Sequence, residues 1–230
     1  MAVTFETRAV ERLGAFWASL LERQVVHEGR EAALPPQGTQ VGLRFVPAPD
    51  GEPGRSWLHL HLTSASAADQ LATVEKALDL GARHLDVGQL PDEGHVVLGD
   101  PDGNAFCVIE PGNRFLAGCG DLGEVTCEGS RDVGLFWRDA LGWPLVWDRD
   151  EETAIQLPAG GTKLSWGGPP VSPKETRNRQ RFELAAADAE GEVARLVALG
   201  AIRLGVRDGA TELADPDGNE FWLLPLPRPR

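Results

Sequence analysis

The segment Trp57-Leu-His-Leu-His-Leu-Thr63 sets two imidazoles two positions apart in an alternating apolar run. Successive side chains of a strand point to opposite faces, so Leu58, Leu60 and Leu62 share one face and Trp57, His59 and His61 the other. In the run 105 to 109, burying Phe106 and Val108 turns Ala105, Cys107 and Ile109 the opposite way. In the run 3 to 7, burying Val3 and Phe5 turns Thr4 and Glu6 the opposite way. Where these faces meet, Glu6, His59, His61 and Cys107 converge, and such a set of nitrogen, oxygen and sulphur donors suits zinc or another late transition ion. The same groups allow metal-free proton transfer beside a carbonyl, with Glu6 as base and His59 or His61 as acid. The plain alternative is a pair of hydrogen-bonded imidazoles next to a small buried thiol.

The elements that must position these groups come in two copies. Asp100-Pro-Asp-Gly-Asn104 returns as Asp215-Pro-Asp-Gly-Asn219, a Leu-Gly-Ala helix end recurs at 80–82 and 199–201, and a Phe-Trp pair recurs at 16–17 and 136–137. Three marks at offsets of 115, 119 and 120 residues indicate a tandem duplication. In the first copy, periodicity predicts a strand at 3–7, a helix at 10–21, an apolar strand at 41–45 ended by Pro47, Pro49 and Gly51, and a strand at 57–63. A helix at 67–80 follows, with Leu71, Val74, Leu78 and Leu80 as its buried stripe and Gly81 as its C-cap. Short strands near 83–87, 95–98 and 105–109 complete the half, the last two joined through the Asp-Pro-Asp-Gly-Asn turn. The second copy repeats this order, with helices at 132–141 and 188–199. The fold class is α+β: two tandem domains, 1–112 and 123–226, separated by a Gly-rich linker at 113–122 and followed by a proline-laced tail at 227–230.

Composition narrows the functions. The chain has 230 residues, and each half is long enough to build its own core. A formal charge of -13, with 35 acidic against 22 basic residues, repels phosphate backbones and argues against a nucleic-acid partner. No run reaches the length of a membrane span, and three scattered cysteines, Cys107, Cys119 and Cys127, fit a reducing, cytoplasmic setting. No serine stands in a Gly-x-Ser-x-Gly elbow.

Leu13-Gly-Ala-Phe-Trp-Ala-Ser-Leu-Leu21 and Val133-Gly-Leu-Phe-Trp-Arg-Asp-Ala-Leu-Gly142, the two Leu-Gly-Ala helix ends and the two Asp-Pro-Asp-Gly-Asn turns resemble the glyoxalase, bleomycin-resistance and extradiol-dioxygenase superfamily, the vicinal oxygen chelate proteins. The resemblance spans nearly the whole chain and implies that each domain consists of two βαβββ modules closing a cupped mixed sheet, with helices outside. Which modules close together, first with second or exchanged across the linker, stays open. The family includes metal-dependent lyases and isomerases, ring-opening dioxygenases and proteins that only hold a drug. In metal-dependent relatives a carboxylate ligand is expected seven residues after the first Asp of the turn; here Cys107 and Trp222 stand there. The strand position of a ligating histidine holds His59 in the first half and Arg181 in the second, with Glu183 matching His61, and Glu110 is expected to face away.

The resulting expectation is a metal-free protein that binds a small organic antibiotic or metabolite and has no cofactor. Trp57, Trp166 and Trp222 are the expected stacking surfaces, with His59, His61, Cys107, Arg181 and Glu183 as polar contacts. The alternative is a lyase, isomerase or dioxygenase using a Glu-His pair, or a divalent metal held in the first domain by Glu6, His59 and Cys107. A protein-contact scaffold is a third possibility, which predicts an apolar outer patch and no pocket. Because the internal pair mimics a dimer, a monomer is expected, compatible with weak further dimerisation.

Overall fold

The computed structural model describes residues 1–49, 54–90, 93–207 and 209–226; Gly51 and the tail 227–230 lie outside them. The chain forms four modules. The first is β1 (Ala2–Thr7), α1 (Val10–Leu20), β2 (Val26–Glu28), β3 (Glu31–Leu34) and β4 (Gly42–Pro47). The second is β5 (Leu58–Leu62), α2 (Ala67–Asp79), β6 (Arg83–His84), β7 (Val96–Gly99) and β8 (Ala105–Val108). The third is β9 (Leu122–Cys127), α3 (Arg131–Leu141), β10 (Leu145–Arg149), β11 (Glu152–Ile155) and β12 (Lys163–Trp166). The fourth is β13 (Gln180–Ala186), α4 (Ala189–Ala198), β14 (Ile202–Arg207), β15 (Ala210–Ala214) and β16 (Glu220–Pro225).

Each module follows the expected order, and the departures have local causes. β2 and β3 are both absent from the expected strands: β2 is three exposed residues at a sheet edge with no apolar alternation, and β3 offers only Glu-Ala-Ala-Leu, too short and weakly apolar to stand out. β10 follows directly on Pro144, where the sequence reads as a turn. On α2, Val74 and Ala77 are buried and Leu78 and Leu80 pack against the core, but Leu71 is exposed and drops out of the expected stripe. Ser66, Ser130 and Asp188 cap α2, α3 and α4, each side chain accepting a backbone N–H three residues on. Gly81 takes φ +102°, as its C-cap role requires. Among the described residues no helix is long and apolar enough to cross a membrane.

The four modules make two eight-stranded mixed sheets, and the chain exchanges partners across the linker. Sheet I runs β14-β15-β16-β13-β1-β4-β3-β2, joining the first and fourth modules; sheet II runs β10-β11-β12-β9-β5-β8-β7-β6, joining the second and third. At each centre the first strands of two modules pair antiparallel, β1 with β13 and β5 with β9. One continuous core takes apolar side chains from both sheets and all four helices.

The repeated turns tie the sheets together. In the first, the Asp100 carboxylate accepts the backbone N–H groups of Asp102 (3.0 Å) and Asn104 (2.9 Å), then receives the Trp17 indole Nε1–H from α1 at 3.2 Å. Asp215 does the same for Asp217 (3.1 Å), Asn219 (2.9 Å) and the α3 indole of Trp137 (3.1 Å). Thus the Phe-Trp and Asp-Pro-Asp-Gly-Asn marks of each sequence copy are hydrogen-bond partners, and they bind a module of one sheet to a module of the other.

The helices do not approach their sheets equally. A Cβ on Gly134 of α3 would overlap the Thr153 Oγ1 and lie 2.8 Å from the Thr153 Cβ and 3.2 Å from the Trp166 ring, whereas one on Gly14 of α1 meets the Ala32 methyl at 3.0 Å and Phe45 and Val25 at ordinary contact distances of 3.6 and 3.7 Å. Gly134→Ala is therefore expected to cost about 2–3 kcal/mol by overpacking. Gly14→Ala should stay within about 1 kcal/mol, because alanine's helix propensity offsets a milder contact. Urea midpoints of the two variants measure the difference.

Candidate metal centre and the two cups

The two cupped faces have different chemistry. On sheet II the alternation of β5 holds: Leu58, Leu60 and Leu62 are buried in the core, while His59 and His61 point into the cup. Register sets His61 beside Cys107 of β8 on one side and beside Glu124 of β9 on the other, and Glu124 beside Lys163 of β12. Cys107, His61, Glu124 and Lys163 thus form one row across four strands. His59 stands in the next row, opposite Thr126, whose hydroxyl lies 2.8 Å from that of Ser165.

The ligating atoms of His59, His61 and Cys107 all lie within 4.8 Å of one another, the one such cluster among the described residues. They line a cavity of ≈ 380 Å³ together with His95, Glu110, Phe115 and Glu124. Donors around a tetrahedral zinc lie about 3.3–3.8 Å apart, so side-chain shifts of about 1 Å would close the set, leaving a coordination position free. Two imidazoles and a thiol fit a late transition ion.

The surroundings prepare these groups. His61 Nδ1 lies 2.7 Å from the buried Glu124 carboxylate, which fixes the tautomer and leaves Nε2 for another partner. Burial works against the His61 imidazolium, but hydrogen bonds and charge from Cys107 and Glu124 outweigh it and raise its pKa to about 9. Burial and the neighbouring His61 charge push His59 the other way, down to about 4, so its imidazole is neutral at neutral pH. Burial also pushes the Glu124 carboxyl up, yet its bonds to His61, Ser165 and Thr126 prevail and hold it below the usual range.

These donors overturn the expectation of a cofactor-free protein, because the fold gathers a plausible metal set in one cup. The expected ligand set also changes. Glu6 lies on β1 of sheet I, and the carboxylate beside His61 is Glu124. The exchange of modules is the reason: the strand that pairs with β5 is β9, not β1. Glu110 does not face away; it lines the cavity and accepts a 2.9 Å hydrogen bond from Asn113. Sequence reasoning missed His95 and Glu124, although the alternation of Glu124 with buried Val125 marks it as cup-facing once β9 is known to neighbour β5.

Sheet I has a cup closed by its own charges. Arg181, 1 % exposed, donates to Glu6 at 2.6 Å and lies over the Trp222 ring at 3.7 Å. Arg44 bonds Glu183 at 3.1 Å and also Glu31, Arg177 bonds Glu212, and Lys174 holds Glu220 at 2.9 Å. Glu183 further accepts from Thr4, and Trp222 Nε1–H points at Glu212 from 3.3 Å. The expected contacts Arg181, Glu183 and Trp222 therefore come together here, with Glu6, away from the histidines. Trp57 and Trp166 face neither cup: both are core residues, Trp57 donating to the Gln180 carbonyl at 2.7 Å and Trp166 packing beneath α3.

Comparison with known proteins agrees with this architecture. A family model described as a glyoxalase-like domain matches residues 2–109 and 123–224. The chain superposes on glyoxalase I from Zea mays with a TM-score of 0.68 at 14 % identity, covering 97 % of this chain and 91 % of that one. A putative dioxygenase from Bacillus subtilis gives 0.63 at 14 % identity, covering 96 % and 83 %. No curated protein matches the sequence significantly. With 210 of its 230 residues under the family model, the chain belongs to the glyoxalase-like domain family, as a tandem member of the glyoxalase, bleomycin-resistance and vicinal oxygen chelate superfamily.

Proposed function

We propose that the sheet II cup is a metal-assisted enzyme site of lyase or isomerase type, acting on a small oxygen-bearing organic molecule. The observation that carries this reading is the convergence of His59, His61 and Cys107 at a cavity of ligand size. A zinc-class ion held there would supply Lewis-acid polarisation of a substrate oxygen. The thiol in place of a carboxylate separates the set from the two-histidine, one-carboxylate triad of non-haem iron oxygenases, which weighs against dioxygenation.

The chain's own groups prepare the cup. Glu124 orients His61 through Nδ1, and neutral His59 keeps the lone pair that a metal ligand must offer, whereas His61, with its pKa at about 9, has to release a proton for Nε2 to bind a metal. Phe115, Leu116 and Ile109 wall the cavity with apolar surface and limit water. The closed ion pairs of sheet I leave that cup without a comparable donor set.

Protein purified without chelator or histidine tag should contain about one zinc-class ion per chain by elemental analysis. Cobalt(II) substitution should produce a thiolate charge-transfer band. His59→Ala and Cys107→Ser should abolish both signals, and Glu124→Gln should weaken metal binding about 10–100-fold, as expected for loss of a group that orients a ligand. Wild-type protein that takes up no metal under any loading condition would refute the proposal.

A further inference from the structure

The half of the sheet II cup opposite the metal donors carries an ammonium without a counter-ion. Lys163, 8 % exposed, ends the row Cys107, His61, Glu124, Lys163. Among the described residues no carboxylate comes within the 4.0 Å of an ion pair, the Glu124 carboxylate being engaged by His61. An ammonium has three donors, and one of them goes to the Phe115 backbone carbonyl. The Phe115 ring covers Nζ from 4.1 Å. Such burial is costly unless a further partner arrives, since a ring and one carbonyl replace only part of an ammonium's hydration.

A second donor faces the same cup, since register sets Trp147 of β10 in one row with Ala154 of β11 and Ser165 of β12, two residues along from Lys163. Trp147 meets Phe115 edge to face at 5.9 Å, and its indole Nε1–H is buried without an acceptor. Arg149, two residues along β10, lies over that indole at 5.1 Å. The cup is therefore divided: imidazoles, a thiol and a carboxylate on β5, β8 and β9, and cationic and N–H donors on β10 and β12.

We propose that Lys163, with the Trp147 indole N–H, anchors a carboxylate of the ligand, so that the substrate class is a short oxygenated acid whose other end reaches the His59, His61 and Cys107 donors. The second part rests on the metal site proposed above. Adjacent strands are about 4.8 Å apart, so His61 and Lys163, two strands from each other, set the two ends of the ligand several ångströms apart. Phe115 is the group that the carboxylate displaces from Nζ, since its carbonyl and ring already occupy the position that an anion would take.

The test compares succinate, which has a carboxylate at each end, with acetate, which has one. Dissociation constants are read from the spectrum of cobalt-loaded protein for wild type, Lys163→Met and Lys163→Arg. Wild type should bind succinate at least ten-fold more tightly than acetate. Lys163→Met should bind the two alike, and Lys163→Arg should regain most of the preference, which also shows that the loss does not come from misfolding. An unchanged succinate preference in Lys163→Met overturns the anchor and leaves the metal site standing. If no cobalt spectrum appears, the metal reading fails by itself. Calorimetry of succinate with metal-free wild type and Lys163→Met then decides the anchor: a ten-fold loss supports it, and equal affinity rejects it.

Discussion

Asp215→Ala is expected to lower the stability of the protein by about 3–5 kcal/mol, because the change strands several buried donors at once. The Asp215 carboxylate receives the Asp217 and Asn219 backbone N–H groups and the Trp137 indole N–H, and the residue is wholly buried. Alanine leaves no acceptor for any of them and opens a cavity between the turn and α3. Trp137→Phe removes one of these bonds and keeps the ring contacts with Phe182 and Phe221 at 4.9 Å, so its cost should be nearer 1–2 kcal/mol. Asp100 makes the same set of bonds to Asp102, Asn104 and Trp17, so Asp100→Ala should cost about as much as Asp215→Ala, to within about 1 kcal/mol. The double variant would lose a sum comparable with the whole stability of a typical domain, about 5–15 kcal/mol, and should not fold. Denaturant unfolding of the two single variants checks the claim. A loss below about 1 kcal/mol in either would show that the turn carboxylate is not the hub of the repeat.

Arg181→Met in the sheet I cup is expected to cost about 3 kcal/mol. The guanidinium is almost fully buried, 2.6 Å from Glu6 and stacked on Trp222. Removing it leaves the buried Glu6 carboxylate with Arg177 alone, whose Nη2 is 3.7 Å away and whose Nη1 already serves Glu212. The double change Glu6→Gln, Arg181→Met removes both charges and should recover most of the loss, the mark of a desolvated pair and not of simple packing. Metal binding in sheet II should be unaffected, since no member of this network lies on β5, β8, β9 or β12. Thermal or denaturant unfolding of wild type, both single variants and the double variant closes the cycle. A double variant as unstable as Arg181→Met would assign the cost to the lost contact with the Trp222 ring.

Much of the architecture is legible locally. The leucines and histidines of β5 alternate as a half-buried strand must, and the apolar spacing of α1 and α3 marks their core faces. The elements that escape notice have little local signal: β2 is short, exposed and at an edge, β3 is four residues of which two are alanine, and β10 sits behind a proline. For the site, His59, His61 and Cys107 are legible as cup-facing residues because parity is a property of a single strand. Glu124 and His95 are not, since their relevance depends on which strand or loop lies next to β5. Trp166 shows the converse: a large aromatic side chain suggests a ligand surface, yet its parity with buried Leu164 sends it beneath α3.

By itself the sequence determined that there are four βαβββ units, where most of their strands and helices run, which faces of β1, β5 and β8 meet a cup, and that the two halves are copies. Periodicity, capping and turn chemistry are encoded over a few residues, so one chain suffices to read them. The tertiary structure alone decided that the first module closes with the fourth and the second with the third. The first strands of the modules are near-equivalent, each offering an alternating edge to an antiparallel partner, so local pattern does not rank one pairing above another. That choice sets the chemistry, because it places Glu124 and Lys163 in the row of His61 and Cys107 and gives Glu6 to Arg181.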